Sequence, residues 1–416
     1  MNILITGIHG FVGTNLVNAL KAQHSIYGLD IVSPKKEGVV KTYTWTELES
    51  IPVVDVVIHL AGKAHDTKNR TNTQVYFDIN TGLTEKIYDW FLTSEAKKFI
   101  FFSSVKAAAD KVEGEILTED VVPSPKGPYG ESKIKAENYI LSRQSVVGSS
   151  ELLVQSSESG VLSQESGVWS QESGVLSSEL VVGSKESGVK STESEVGSQE
   201  FVVQSSESEV GSTESGVKST ESGVKSNNQS VDSSRELKEK RQLPTTHYPL
   251  PTTNYPLKTT YILRPCMIHG PGNKGNLNLL YQVVKKGIPY PLGAFENRRS
   301  FTSIDNLSFV IEQLIEKDIP TGIYNVGDDE TLSTNELITL MAATMGKPDR
   351  IWKWNKSFIE LCAKIGTVLH LPLNTERLQK LTENYVVSNA KLKKALGIEK
   401  MPVRAEDGFR KTINSL

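Results

Sequence analysis

The sequence predicts an α/β fold built on a doubly wound parallel sheet, and three observations support this. Short apolar runs alternate with segments of helical periodicity over the first 143 residues. A glycine-rich turn joins the first apolar run to the first helical segment. The segments between successive runs have the lengths of right-handed crossovers, which parallel strands require.

Each predicted element has its own pattern. Strands are predicted at short apolar runs, and helices where apolar residues recur at three- and four-residue spacing. The predicted strands are Asn2–Thr6, Ser25–Asp30, Val53–Leu60, Lys98–Ser104 and about Thr260–Arg264. The predicted helices are Phe11 to about Ala22, about Thr73 to Ser94, and Tyr129–Leu141.

A long segment of different composition interrupts this pattern. Residues 149–232 hold 13 Glu, one Asp and four Lys, a charge of −10 within a 416-residue chain of net charge −3, so the remainder carries +7. The segment repeats every seven residues, as in SSESGVL and SQESGVW, with about one dependable valine per repeat. One valine per heptad buries too little surface to offset the entropy of ordering the chain. Disorder is therefore predicted, with a short solenoid and a partner-binding segment as alternatives.

The interruption divides the chain into three parts. We expect residues 1–143 to form the first part of a nucleotide-binding lobe and residues 144–258 to form the insertion. Residues 259–416 would complete that lobe and add a substrate-binding one.

Composition also excludes several classes of protein. No run of about 18 apolar residues exists, so no membrane-spanning helix is predicted. The amino terminus does not resemble a signal peptide, and Cys266 and Cys362 cannot make a disulfide framework. The histidines show no metal-ligand spacing. We therefore expect a cytoplasmic protein with no metal site and no nucleic-acid or membrane partner.

The glycine-rich turn is a candidate site for a dinucleotide. Gly7, Gly10 and Gly13 lie between the first strand and first helix, where backbone N–H groups and the helix dipole attract a pyrophosphate. Phe11 and Val12 begin that helix and are included in the predicted cofactor site. The alternative is a tight turn that binds no ligand.

Asp30 ends the second strand, where a carboxylate accepts hydrogen bonds from the adenosine ribose and repels a 2′-phosphate. This favours NAD over NADP. The alternative for Asp30 is a capping role in the turn that follows.

Tyr129 and Lys133 form the candidate catalytic centre. Their spacing of four places both side chains on one helix face, and a neighbouring ammonium would lower the pKa of the Tyr129 phenol. Such a tyrosine can exchange a proton with a substrate hydroxyl. Ser104, at the carboxyl end of its strand, is placed to bind the same hydroxyl.

These motifs together resemble one enzyme family. TGIHGFVG, DVVIHLAG, FFSS, YGESK, YILRPCMIHGPGNKGN and RRSFTSIDNL occur in this order. They are similar to the extended short-chain dehydrogenase/reductases, in the nucleotide-sugar epimerase/dehydratase branch. The resemblance implies a Rossmann-like lobe, a smaller carboxyl-terminal lobe over a UDP- or dTDP-sugar, bound NAD, and a homodimer.

The resemblance also implies roles for individual residues. Ser104, Tyr129 and Lys133 would be the catalytic triad, with Lys133 also holding the nicotinamide ribose. Further cofactor contacts would come from Ala61, Gly62 and Asn80, and substrate contacts from Asn276, Leu277, Arg299 and Arg377.

The leading functional hypothesis is C4 epimerisation of a UDP-sugar through a 4-keto intermediate. The stretch RPCMIHGPGNKGN resembles family members that act on N-acetylated or 4-keto sugars for surface polysaccharides. A nucleotide 4-keto-sugar reductase using NAD(P)H is the alternative, and a catalytically silent nucleotide-binding scaffold is a remote one. A dehydratase is disfavoured because Val105 and Lys106 stand where its Asp-Glu pair would be.

Overall fold

A parallel sheet of seven strands forms the centre of the structure. The computed structural model describes residues 1–64, 72–144, 258–273, 276–369 and 374–416. The strands of this sheet are β1 (Asn2–Thr6), β2 (Ser25–Asp30), β3 (Lys41–Thr44), β4 (Val56–His59), β5 (Lys98–Phe102), β6 (Thr259–Pro265) and β9 (Gly322–Val326). Their order is β3-β2-β1-β4-β5-β6-β9, and every neighbouring pair is parallel. The predicted doubly wound sheet is therefore confirmed.

Helices cover both faces of the sheet, and further helices pack on one another in the carboxyl-terminal part. They are α1 (Phe11–Leu20), α2 (Thr73–Phe77), α3 (Leu83–Thr93), α4 (Val105–Ala108), α5 (residues 128–144), α6 (Asn276–Lys285), α7 (Ile304–Glu316), α8 (Thr334–Thr344), α9 (Lys356–Val368), α10 (Thr375–Thr382), α11 (Ala390–Leu396) and α12 (Ala405–Asn414). Along β1 the buried side chains alternate, with Ile3 and Ile5 on the face covered by α1 and α7 and Leu4 on the face covered by α3 and α5. Burial on both faces explains why the strands are continuously apolar.

The predicted helix from Thr73 to Ser94 is present but is not a regular α-helix throughout. Asp78–Gly82 forms a π-helical segment between α2 and α3. Such segments are rare and often occur at functional sites. The segment contains Asn80, one of the predicted cofactor residues, and Asn80 is completely buried.

The carboxyl-terminal part adds helices and a small second sheet. In this sheet β7 (Met267–His269) pairs in parallel with β8 (Phe301–Ser303). A separate apolar cluster is built mainly from α6, α8 and α12, including Leu277, Met341 and Phe409. All described residues belong to one compact unit.

The carboxyl ends of the strands bring the candidate site residues to one edge of the sheet. The glycine turn follows β1, Asp30 ends β2, and Ser104 follows β5 by two residues. The predicted insertion at 144–258 lies outside the described residues except at its two ends. The chain re-enters the sheet at Thr259, beside Lys98 at the amino end of β5, which is the opposite edge.

Among the described helices, none is both long and apolar enough to cross a membrane.

Candidate active site

The glycine turn after β1 is held tightly against its neighbours. The Gly7 N–H donates to the Leu29 carbonyl at 2.8 Å, and the Gly10 N–H donates to the Gly7 carbonyl at 2.9 Å. Gly7 has φ +67°, and a Cβ there would lie 2.9 Å from the backbone nitrogen of Ala61. A side chain at Gly7 is therefore excluded both by the backbone conformation and by the neighbouring chain.

Gly13 allows α1 to begin directly behind this turn. A Cβ at Gly13 would lie 2.7 Å from the Gly7 carbonyl oxygen and 2.8 Å from the Ile8 Cα. Gly10 is the N-cap of α1 and has no side chain to occupy the N–H groups of the first turn, which begins with Phe11 and Val12. The helix N-terminus therefore offers its N–H groups and dipole to an anion, as a pyrophosphate site requires.

Gly13→Ala tests the cradle. We expect it to lower the free energy of unfolding by about 1–3 kcal/mol, because backbone atoms must move to admit the methyl group. NAD affinity should fall as well, since α1 shifts from the turn. Chemical denaturation and calorimetric titration with NAD measure the two effects. Gly82→Ala is the matched control, because the nearest atom to its Cβ would be the Phe77 carbonyl oxygen at 3.9 Å.

Asp30 contacts the glycine turn directly. Its Oδ2 accepts from the His9 N–H at 3.0 Å and its Oδ1 accepts from the Ile31 N–H at 2.8 Å. These bonds place the carboxylate between the end of β2 and the turn. Asp30 can therefore cap the turn, as considered from the sequence, and also lie beside the predicted nucleotide.

Asn80 joins the loop after β4 to helix α5, which carries Tyr129 and Lys133. Its Oδ1 accepts from the Lys63 N–H at 2.7 Å, and its Nδ2 donates to the Lys63 carbonyl and to Ser132 Oγ, at 3.1 and 2.9 Å. Ala61, in the same loop, donates its N–H to Thr6 Oγ1 at 3.0 Å. A Cβ at Gly62 would lie 3.1 Å from Lys133 Nζ. The predicted cofactor residues of this loop therefore lie against the predicted triad.

Ser104 and Tyr129 are brought together as expected. The side chains of Tyr129 and Ser104 are hydrogen-bonded, although the residues come from α5 and from the end of β5. Ser104 is also the N-cap of α4, where its Oγ accepts from the Lys106 N–H at 3.2 Å. This second contact fixes the serine rotamer beside the tyrosine.

Lys133 lies one helical turn after Tyr129 and is only 5 % exposed. Its Nζ donates to the Phe102 carbonyl at 2.8 Å and lies 5.1 Å from the centre of the Phe101 ring. Burial lowers the pKa of Lys133 to about 8, and the carboxylate of Glu137 opposes this shift. The ammonium is thus held at the carboxyl end of β5, two residues before Ser104.

The sequence-based prediction that the Tyr129 pKa is lowered is wrong for the protein without bound cofactor or substrate. Burial raises the pKa of the Tyr129 phenol, and the hydrogen bond from Ser104 opposes this only in part. The (i, i+4) spacing correctly places Lys133 nearby, but its ammonium is directed to the Phe102 carbonyl. Desolvation therefore dominates over the neighbouring charge.

A buried ion pair below the triad was not found from the sequence. Arg264 donates to Glu137 through Nε at 3.0 and 3.2 Å and through Nη2 at 2.6 Å, and Ser103 Oγ donates to the same carboxylate. Glu137 and Arg264 are 0 and 1 % exposed. Glu137 follows Lys133 by one turn of α5, a spacing that could have indicated a charge on the same face.

His59 supports the same edge of the sheet from the end of β4. Its ring nitrogens are hydrogen-bonded to Thr6 Oγ1 at 2.7 Å and to Thr84 Oγ1 at 2.9 Å, and the ring stacks on Phe101. Burial holds the pKa of His59 well below its usual range. This histidine is a neutral packing residue, as its lack of metal-ligand spacing indicated.

The predicted substrate residues lie in the carboxyl-terminal part. Arg299 donates from Nη1 to the Lys380 carbonyl at 3.0 Å, and burial lowers its pKa while Glu383 opposes the shift. Its charge also acts on Lys106 in α4, two residues after Ser104, so Arg299 lies near α4. Arg377 lies in α10, three residues before Lys380.

Leu277 and Asn276 are at the start of α6. The Leu277 side chain is buried in the apolar cluster with Phe301 and Tyr281, so a substrate contact by this residue would have to use its backbone. This limits the predicted role of Leu277 without excluding it.

Comparisons with known proteins identify proteins that are similar to this chain. Residues 3–150 match the model of the NAD dependent epimerase/dehydratase family. The chain is 25 % identical over 99 % of its length to a UDP-glucose 4-epimerase of Vibrio cholerae, covering 94 % of that protein. It is 28 % identical over 33 % of its length to a GDP-6-deoxy-D-mannose reductase of Pseudomonas aeruginosa, covering 46 % of it.

Solved structures show the same fold. The UDP-glucuronic acid 4-epimerase of Bacillus cereus in complex with NAD has a TM-score of 0.56 at 15 % identity, with coverage of 100 % of this chain and 98 % of that one. The family match includes the glycine turn, Asp30, Ser104, Tyr129 and Lys133. Over residues 3–150 the chain is therefore similar to the NAD-dependent epimerase/dehydratase enzymes.

Proposed function

We propose that this chain is an NAD-dependent epimerase that inverts carbon 4 of a UDP-sugar. The observation that carries the proposal is the hydrogen bond between Tyr129 and Ser104, with Lys133 one helical turn away, at the same sheet edge as the glycine turn. This arrangement combines a proton-transfer group with a dinucleotide cradle. The match of residues 3–150 to the family model and the likeness to the Vibrio cholerae protein support both the cofactor and the class of reaction.

The side chains of the triad account for proton transfer. Tyr129 would remove the proton of the 4-hydroxyl and return one to the 4-keto sugar, and Ser104 would orient the same oxygen. Lys133, protonated below a pKa of about 8, would supply positive charge beside the reacting oxygen. NAD, when bound, supplies hydride transfer at carbon 4. The raised pKa of Tyr129 means that bound cofactor and substrate must contribute to deprotonating this phenol.

The NAD cradle is supported by the residues of the glycine turn. Gly7, Gly10 and Gly13 leave room for close backbone approach, and the carboxylate of Asp30 lies beside the turn at the end of β2. These groups match a pyrophosphate and a ribose diol respectively. We also propose that Asn80, Ala61 and Gly62 define the cofactor side of the site, because they link the glycine turn to Lys133.

Asp30→Ser tests the cofactor preference. We expect NAD to bind about tenfold more weakly, because loss of a charged hydrogen-bond acceptor costs about 1.5 kcal/mol or more of binding free energy. The affinity for NADP should rise relative to that for NAD, because the carboxylate no longer repels the 2′-phosphate. Calorimetric titration with both dinucleotides measures this. Asp55→Ser is the matched control, since Asp55 also accepts from a backbone N–H, that of Asn2, but at the opposite edge of the sheet. Unchanged relative affinities in Asp30→Ser would remove Asp30 from the site.

The UDP-sugar is proposed from the relatives and from the basic side chains. The Vibrio cholerae and Bacillus cereus proteins are named for UDP-sugars. Arg299 lies near α4, and its guanidinium is suited to a diphosphate. We propose that Asn276, Leu277 and Arg377 complete the contact with the diphosphate. An N-acetylated sugar remains part of the proposal on the sequence resemblance alone.

A 4-keto-sugar reductase is the second candidate, favoured by the likeness to the Pseudomonas aeruginosa reductase. In that reaction Tyr129 would only donate a proton. Net oxidation of NADH distinguishes the two enzymes, because only the reductase consumes this cofactor. The purified chain should convert UDP-glucose to UDP-galactose without added cofactor and without net change in NADH absorbance. Turnover that requires a 4-keto sugar and consumes NADH in equal amount would establish the reductase instead.

We propose that residues 144–258 are an insertion outside the catalytic machinery, between the enzyme parts 1–143 and 259–416. Gln144 and Lys258 are the described residues on either side of residues 145–257. Both lie at the amino-terminal ends of the strands, whereas Ser104 lies at the carboxyl-terminal ends. The end residue Lys258 is part of the fold, because its Nζ donates to the carbonyls of Phe91, Ser94 and Ala96. A deletion should therefore keep Gln144 and Lys258.

Replacing residues 145–257 with a linker of about eight Gly and Ser residues tests this. We expect unchanged NAD affinity and a free energy of unfolding higher by up to about 2.4 kcal/mol, from the lower entropy cost of closing a shorter loop. Calorimetry and urea unfolding measure both values. A folded deletion protein that no longer binds NAD would show that the insertion contributes to the site.

We further propose a cytoplasmic homodimer, as the family resemblance implies. Sedimentation equilibrium at two protein concentrations gives the mass directly, and a monomer at both would contradict the proposed dimer.

A further inference from the structure

Helix α9 has an apolar face that the described protein does not cover. Its exposed side chains are Phe358, Leu361, Ile365 and Val368, at 52, 55, 48 and 76 % exposure. Their spacings of three and four residues place them on one side of the helix. The stripe continues through Trp354 before the helix and Leu369 after it, at 43 and 62 %.

This exposed stripe is distinct from the face by which α9 packs on the protein. The packed face consists of Ile359, Ala363 and Gly366, which are buried. Ile359 and Ala363 join the cluster of Leu292 and Leu378. One apolar stripe is sufficient to attach a surface helix to a domain. A second, adjacent stripe indicates a second apolar environment.

Two tryptophans extend the exposed surface. The rings of Trp352 and Trp354 stack with centroids 6.1 Å apart, and the Trp354 ring lies 5.9 Å from that of Phe358. Trp352 is 49 % exposed. Tryptophan is the residue type most typical of the boundary between water and lipid, since its ring is apolar and its N–H is polar.

The surroundings of the stripe are basic. Residues 345–369 carry five cationic side chains and two acidic ones, a net charge of +3. The cations are Lys347, Arg350, Lys353, Lys356 and Lys364, and the acidic residues are Asp349 and Glu360. Lys353, Lys356 and Lys364 are all exposed.

We propose that the surface formed by Trp352, Trp354 and the exposed stripe of α9 docks on an anionic lipid membrane. The helix would lie in the plane of the interface with its aromatic and aliphatic side chains among the lipid chains and its lysines at the headgroups. This is peripheral attachment and requires no membrane-spanning helix. It revises the sequence-based expectation of no membrane partner, which considered only spanning segments and leader peptides.

Charge favours a lipid surface over a second copy of this chain. Two copies joined symmetrically through the stripe would place their Lys353 and Lys364 side chains near one another, and like charges across an interface oppose association. Anionic headgroups are complementary to the same lysines. The site also lies on an element that carries none of the proposed catalytic residues.

Sedimentation with vesicles tests the proposal. The full chain should pellet with vesicles of equal parts phosphatidylglycerol and phosphatidylcholine, and much less with phosphatidylcholine alone. The double variant Leu361→Gln/Ile365→Gln should reduce the bound fraction at least about tenfold, because two inserted side chains are lost. Lys353→Glu/Lys364→Glu should reduce binding mainly to the anionic vesicles. Val122→Gln, at an 83 % exposed apolar residue on another loop, is the matched control and should bind like the unaltered chain.

The result can overturn the proposal in three ways. The unaltered chain could remain in the supernatant with both vesicle types. The double variant could bind as well as the unaltered chain. The double variant could halve the sedimenting mass without vesicles, which would make the stripe a contact between copies. Circular dichroism of each variant verifies that α9 and its packed face remain folded.

Discussion

Glu137→Ala should lower the free energy of unfolding by about 3–5 kcal/mol, because it leaves the guanidinium of Arg264 buried without its counter-ion. The pair is bidentate and nearly inaccessible to water, with the shortest contact at 2.6 Å and side-chain exposures of 2 and 0 %. Water cannot replace the lost carboxylate at this depth. Urea unfolding followed by tryptophan fluorescence measures the loss.

An exposed pair on the surface provides the control. Glu406→Ala removes the partner of Arg410 at a similar distance of 2.7 Å, but both side chains are more than 40 % exposed. Glu406→Ala should lower the free energy of unfolding by less than about 1 kcal/mol. Equal losses in Glu137→Ala and Glu406→Ala would contradict the importance assigned to the buried pair.

The double variant Glu137→Met/Arg264→Met separates the charge from the packing. Replacing both charges with apolar side chains of similar volume should recover much of the stability, as no unpaired charge remains. Lys133 would lose the carboxylate that raises its pKa, so this pKa should fall below the value of about 8. Its ammonium would be lost at lower pH, and the alkaline limb of the activity profile should shift downward.

Tyr129→Phe should reduce turnover of a UDP-sugar by about 10²- to 10⁴-fold, the usual contribution of a positioned acid-base group. The phenyl ring retains the packing of the tyrosine and removes the hydroxyl bonded to Ser104. NAD binding should therefore change little. Steady-state rates and calorimetric titration with NAD give the two values.

Tyr139→Phe is the matched control on the same helix. The Tyr139 hydroxyl donates to the Asp89 carboxylate at 2.7 Å, on the outer side of α5 and away from Ser104. Turnover should be unaffected by this change. A Tyr129→Phe enzyme as active as Tyr139→Phe would show that proton transfer does not use Tyr129.

Five of the seven strands of the sheet were predictable because their sequence signal is local, whereas β3 and β9 were not predicted. Strands buried on both faces must be apolar along their whole length, and Ile3, Leu4 and Ile5 show this directly in the sequence. The glycine turn was predictable for a similar reason, since the backbone conformation of Gly7 and the space at Gly13 both exclude side chains. Residues joined by a fixed covalent spacing can be placed without knowledge of the tertiary structure.

Contacts that depend on tertiary structure were not predictable. Glu137 and Arg264 are 127 positions apart, and no sequence pattern around either residue indicated that they form an ion pair. The spacing of Tyr129 and Lys133 gave their proximity but not the hydrogen bond from Lys133 to the Phe102 carbonyl, which left the direction of the tyrosine pKa wrong. The exposed stripe of α9 is likewise indistinguishable in sequence from a core-facing one, because burial decides between them.

The central claim is that the glycine turn and the Ser104, Tyr129 and Lys133 side chains form one NAD-dependent active site for a nucleotide sugar. The most direct measurement is proton NMR of the anomeric signals when the purified chain, with no cofactor added, is incubated with UDP-glucose, UDP-galactose and their N-acetylated counterparts. The account predicts interconversion of one such pair, released NAD upon denaturation of the enzyme, and no interconversion by Tyr129→Phe. Interconversion at an undiminished rate by Tyr129→Phe, or an enzyme that binds no dinucleotide, would contradict it.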